Sequence, residues 1–100
     1  MNLVDPKDKA LSEKLLKVFE DEEVYLFFSK GWQNRSKSIT RLLIELKKQF
    51  SNTQILKSLA KNDIFIGVLL YVDRALNDKV MSINIDAVDL FIQTLQSPFF

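Results

Sequence analysis

The sequence predicts an all-α protein built from antiparallel helix pairs. Three observations carry this expectation. Only two of its 100 residues are glycine and two are proline, too few turn residues for a sheet-rich or loop-rich fold. Apolar residues recur at three- and four-residue spacings along most of the chain, the period of an amphipathic helix. Short polar breaks at residues 30–36, 51–54 and 77–78 separate these runs.

The elements follow in chain order. Asp5-Pro6 opens the first helical stretch, because a proline in the first turn lacks only an N–H that would be unpaired there. Leu11, Leu15, Val18 and Phe19 share one face, predicting a helix over Asp8–Phe19. The acidic run Glu20 to Glu23 favours a new helix N-terminus, where the macrodipole attracts anions. Val24 to Phe28 continue that helix, expected over Glu22–Ser29. Gly31 is expected to close it in the left-handed conformation, and Ser36 or Ser38 to cap the next. Ile39, Leu42, Leu43, Leu46 and Phe50 then trace the cleanest apolar stripe of the chain, over Ser38–Phe50.

Ser51 with Gln54 fits a capping box, predicting a short helix over Thr53–Lys61 with Ile55, Leu56 and Leu59 on its face. Ile64 to Leu76 is apolar on several sides. A strand is an alternative for Ile64–Val72, where β-branched and aromatic residues are frequent. A buried helix over Asp63–Leu76 is preferred, because Asp73-Arg74-Ala75 continue without a turn signal. A last helix is expected over Lys79–Gln96, with Val80, Ile83, Ala87, Leu90, Phe91 and Leu95 on one face and Pro98 as its stop. Leu42, Leu46, Leu69, Val72, Ile83, Ala87 and Leu90 are expected to be buried together.

Helix pairs joined by short turns follow the HEAT or armadillo plan. The expected organisation is one helical domain over residues 1–100. Residues 8–50 hold a capping helix and a first repeat, and residues 53–97 hold a second. Two repeats are fewer than the three usually needed for stability, which suggests a fragment of a longer α-solenoid. Terminal Phe99-Phe100 point to a chain cut from something longer or to a covering partner. The last helix is then expected to carry an unpaired apolar face with some of Val88, Phe91, Ile92 and Phe99, covered by another chain or left sticky.

Composition narrows the function. The chain has no cysteine and no histidine, which removes disulfides, thiolate metal sites and the commonest general base. No enzyme activity, metal or cofactor is expected. No apolar run approaches the ~20 residues that span a bilayer. Met1 to Ala10 is polar, unlike a signal peptide, so a cytoplasmic place and no membrane partner are expected. The run Glu20 to Glu23 lacks the alternating oxygens and glycine of a calcium loop.

The net charge of +1 is unevenly spread. Residues 1–28 carry four Lys against seven Asp and Glu, residues 29–63 eight Lys and Arg against two acids, and residues 64–100 two basic against four acidic groups. The basic middle suits either a solvated helix face or an acidic partner. Nucleic acid is not expected, since the chain is near neutral and lacks a recognition-helix pattern.

Two segments carry a resemblance. Ser29-Lys30-Gly31-Trp32, followed by Arg35 and Ile39, resembles the first HEAT repeat of TOG domains, the tubulin-binding HEAT arrays. Arg74-Ala75-Leu76-Asn77-Asp78-Lys79-Val80-Met81-Ser82 resembles their second repeat. Leu11-Ser12-Glu13 and Val18-Phe19-Glu20 add to it, and the match runs from about Leu11 to Gln96. TOG domains are paddles of roughly six such repeats, whose intra-repeat turns bind the side of a curved tubulin dimer. The resemblance implies tubulin as partner and a place in the cytoskeleton, at a cilium tip, centriole or microtubule end. It implies Trp32 as an exposed contact set against β-tubulin, flanked by Lys30 and Arg35, with Asn77 and Lys79 in the second turn. From the residues alone, Trp32 fits a packing role equally well. A complete TOG domain is about twice this length, so two turns alone should bind weakly. The alternative is a helical protein–protein interaction or self-association module that does not bind tubulin.

Overall fold

In the computed structural model, which describes residues 6–51 and 53–99, a single 3-10 turn at Pro6–Asp8 leads into five α-helices. These are α1 (Lys9–Leu16), α2 (Asp21–Phe27), α3 (Trp32–Lys47), α4 (Lys61–Leu76) and α5 (Met81–Leu95). Asp5, Asn52 and Phe100, which entered the sequence reading as a helix opener, part of a break and a terminal aromatic, lie outside the described residues.

The helices close on themselves: α1 packs on α2 and α4, α4 on α5, α5 on α3, and α3 on α2. The radius of gyration is 12.3 Å, close to the ~13 Å expected of a compact domain this size. Leu15, Phe19, Val24, Phe27, Ile39, Leu42, Val68, Tyr71, Ile83 and Leu90 fill the core. Of the residues expected to be buried together, Leu42, Leu46, Val72, Ile83, Ala87 and Leu90 are, while Leu69 is only half-buried.

Residues 64–72 lie within α4, so the helix and not the strand forms there. The central glycine of α4, Gly67, lets the backbones approach. A Cβ at that position would stand 3.0 Å from Val18 Cγ1 and 3.2 Å from Phe19 Cε2.

The expected helix over Thr53–Lys61 does not form. Residues 53–60 instead cross beside the end of α1, with an antiparallel bridge between Phe19 and Leu56. Glu20 N–H donates to Ile55 O at 2.8 Å and Lys57 N–H to Val18 O at 2.7 Å. Ile55 is buried and Leu59 is 85% exposed, so the apolar face assumed for a helix does not exist. The tertiary partner satisfies backbone groups that one isolated helical turn would leave unpaired. The same bridge shortens α1, which stops at Leu16 rather than Phe19.

Gly31 is not a left-handed cap. It is extended, with φ −76° and ψ 119°, and precedes α3, which begins at Trp32 and carries Ser36 and Ser38 within its length. The left-handed residues are Gln49 and Phe50, with φ of 55° and 57°. They close α3, with Gln49 N–H bonded to Leu46 O and Phe50 N–H to Glu45 O, both at 2.8 Å. This is a Schellman-type closure. It turns the Phe50 ring into the core, where Phe99 packs edge-on against it at 5.4 Å. Phe99 is therefore half-buried against the core, so of the four candidates for an open apolar face only Val88, Phe91 and Ile92 are exposed.

Candidate protein-interaction edge

Two short turns meet at one end of the molecule. Residues 28–31 join α2 to α3, and residues 77–80 join α4 to α5. Arg35, near the start of α3, fastens them. Its Nε donates to Asp78 Oδ2 at 2.7 Å and its Nη2 to Asp78 Oδ1 at 3.1 Å, a two-pronged charge-assisted pair. Its Nη1 donates to the carbonyls of Ser29 and Lys30, both at 2.9 Å. Arg35 is only 14% exposed.

Local bonds stiffen each turn. Ser29 Oγ accepts from Gly31 N–H and from Asn34 Nδ2. Asp78 Oδ1 accepts from Val80 N–H at 2.9 Å, and Asn84 Nδ2 donates to the carbonyls of Ala75, Leu76 and Asp78. Burial pushes the Asp78 carboxyl up. The bonds from Arg35 and Val80, with the charges of Arg35 and Arg74, outweigh this and hold it below its usual range.

The turns border a groove of about 380 Å³, lined among others by Lys7, Asp8, Phe28, Arg35, Arg74 and Asp78. Arg74 places its guanidinium over the Phe28 ring, 5.6 Å from the centroid, and reaches Asp8 at 3.4 Å. Lys30, Asn77 and Lys79 also line the groove and are exposed. The groove thus holds five basic groups (Lys7, Lys30, Arg35, Arg74, Lys79) and two carboxylates (Asp8, Asp78).

Four of the five residues singled out from the sequence, Lys30, Arg35, Asn77 and Lys79, therefore line one groove. Trp32 is not among its walls. It stands on the same turn at the first position of α3, 47% exposed. Asp78 and Arg74 also belong to this edge; the resemblance placed both in the second-repeat segment without naming either as a contact residue. Nothing local to Asp78 reveals a partner 43 residues away.

A second polar cluster is buried. Glu23, 1% exposed, accepts from Ser38 Oγ at 2.9 Å and from Arg41 Nη1 at 3.2 Å. The Tyr71 hydroxyl bonds to Ser38 Oγ, and its ring stacks on Phe27 at 3.6 Å. Burial raises the Glu23 pKa although Ser38 and Arg41 favour the carboxylate, and burial raises that of Tyr71 well above its usual value. Ser38 is fully enclosed. The cluster therefore ties α2, α3 and α4 together.

No family model, curated protein or solved structure matches this chain. Among the described residues no helix is long and apolar enough to cross a membrane.

Proposed function

We propose that this chain is a non-catalytic binding module resembling the N-terminal part of a TOG domain, meeting tubulin through its two turns. The observation that carries the reading is the Arg35–Asp78 fork. It holds two turns that are far apart in sequence as one basic edge, with Lys30 and Lys79 exposed and Trp32 beside them. A rigid, cationic edge with one large aromatic suits an acidic protein surface. Charge speeds encounter, and tryptophan anchors with few rotamers to freeze.

The repeat reading has support in the packing. Helices α2 and α3 form one pair, α4 and α5 another, and their second helices, α3 and α5, lie against each other. Two features depart from a plain two-repeat stack: the backbones of the first helices, α2 and α4, do not pack on each other, and α1 packs on both of them instead. On the repeat reading α1 serves as the capping helix. On this reading the protein works in the cytoskeleton, at a cilium tip, centriole or microtubule end.

The test is binding of unpolymerised tubulin by the wild type and by Lys30→Glu/Lys79→Glu. The double variant should associate at least several-fold more slowly, with the difference shrinking as salt rises. Equal association rates at low salt would refute the role given to this edge. A second reading, a helical interaction module without tubulin, is favoured by one observation, the apolar outer face of α5.

A further inference from the structure

Helix α5 has two apolar faces. Ile83, Ala87, Leu90 and Thr94 are buried in the core. Met81, Ile85, Val88, Ile92 and Leu95 lie on the opposite side and are exposed, from 73% for Met81 to 38% for Leu95. Their spacing is four, three, four, three. That is the seam spacing by which one helix receives another, and it runs the whole length of α5. A helix apolar on two sides normally lies between two layers.

The flanks of the seam differ. Asn84 bonds to the carbonyls of Ala75 and Leu76, so the flank with Asn84 and Phe91 faces α4. The other flank carries Asp89, which accepts from Gln93 Nε2 at 3.4 Å, with Asp86 behind it toward the buried side of the helix. No Lys or Arg occurs in α5. Among the described residues no ion pair involves Asp86 or Asp89. Burial and the neighbouring Asp89 raise the Asp86 pKa, as expected for two like charges without a counter-ion.

We infer that the outer face of α5 is a docking surface for an amphipathic α-helix with apolar residues at three-four spacing and Lys or Arg along one flank. The apolar seam selects a helix, and the carboxylates, which have no cationic partner among the described residues, select its charge. A second copy of this chain is the poorer occupant. Pairing α5 with α5 brings four carboxylates and no cation to the contact. The seam residues do not line the turn groove, so substitutions in the seam leave the groove lining unchanged.

The test uses the full chain and two synthetic three-heptad peptides with the same Ile and Leu seam, one with Lys and one with Glu at every flanking position. The Lys peptide should bind with a dissociation constant in the micromolar range and shift the amide resonances of α5. The Glu peptide should bind at least tenfold more weakly. Asp86→Asn/Asp89→Asn should erase most of that difference. Ile85→Ser/Ile92→Ser should abolish binding of both peptides while the helical circular dichroism is unchanged. Equal binding of the two peptides, or binding of neither, overturns the inference. So does a wild type that sediments as a dimer which Ile85→Ser/Ile92→Ser dissociates.

Discussion

Arg35 and Asp78 stand 43 residues apart in sequence and 2.7 Å apart in space. Their forked pair joins the turn that starts α3 to the turn that starts α5. It also fixes the geometry of the exposed lysines on both. Arg35 was expected to face a partner. The structure gives its guanidinium an internal task, holding the edge on which Lys30 and Lys79 are displayed.

Arg35→Ala should therefore act first on stability. It removes two bonds to a carboxylate and two to carbonyls at a part-buried site. A loss of about 2 kcal/mol is expected, as for hydrogen bonds to charged groups. Lys79→Ala, at an exposed position, should change stability by less than about 0.5 kcal/mol. Urea unfolding of both variants checks this ordering, and equal effects would contradict it.

Acid dependence should separate the two carboxylates. The Asp78 pKa is lowered in the fold. Its contribution is present above the ordinary value of 3.8 and is lost as pH falls through the lower folded value. Glu23 is raised above 4.5. The native state therefore binds its proton more tightly, and this group favours folding less as pH rises through the folded value. Asp78→Asn should flatten the stability loss below pH ~4. The stability of wild type relative to Glu23→Gln should fall as pH rises from ~4 toward neutrality. Chemical denaturation across this range reads both slopes.

Gly67 sets the approach of α4 to the end of α1. Gly67→Ala places a methyl 3.0 Å from Val18 Cγ1, inside normal contact. The overpacking should cost roughly 1–3 kcal/mol, more than the helix propensity gained. Val18→Ala in the same chain should recover part of the loss. Additive losses in the double variant would rule out the steric cause.

What could be read from the sequence depended on how local the determining contact is. The stripe Ile39, Leu42, Leu43, Leu46 fixes α3 by itself, because its period identifies one buried face. Residues 53–60 were misread as helix. Ile55 and Leu56 are adjacent and fit either period, and the backbone that pairs with them belongs to residues 18–20. The start of α3 was placed too late because Gly31 suggests a left-handed stop, whereas here it is extended. In α5 the two apolar faces overlap in one run of residues. Periodicity put Phe91 and Leu95 on one face with Ile83, Ala87 and Leu90, whereas both are exposed; the expectation that placed Phe91 with Val88 and Ile92 on an open apolar face fits its exposure. For the edge, the exposed Lys30, Trp32, Asn77 and Lys79 were legible as turn residues. The Asp78 and Arg74 contacts that organise it were not, since each is made to a distant part of the chain.

The central claim, that the turn edge is a tubulin contact, is tested most directly by Trp32→Ala, with tubulin binding and thermal melting measured on the same samples. Trp32 is 47% exposed at the first position of α3, so its truncation should move the melting temperature by no more than about 4 °C. Tubulin affinity should fall about thirty-fold, the ~2 kcal/mol of a hot-spot anchor. An unchanged affinity with an unchanged melt would contradict the account. So would a drop in melting temperature of more than about 12 °C, the mark of a buried tryptophan worth ~3 kcal/mol or more.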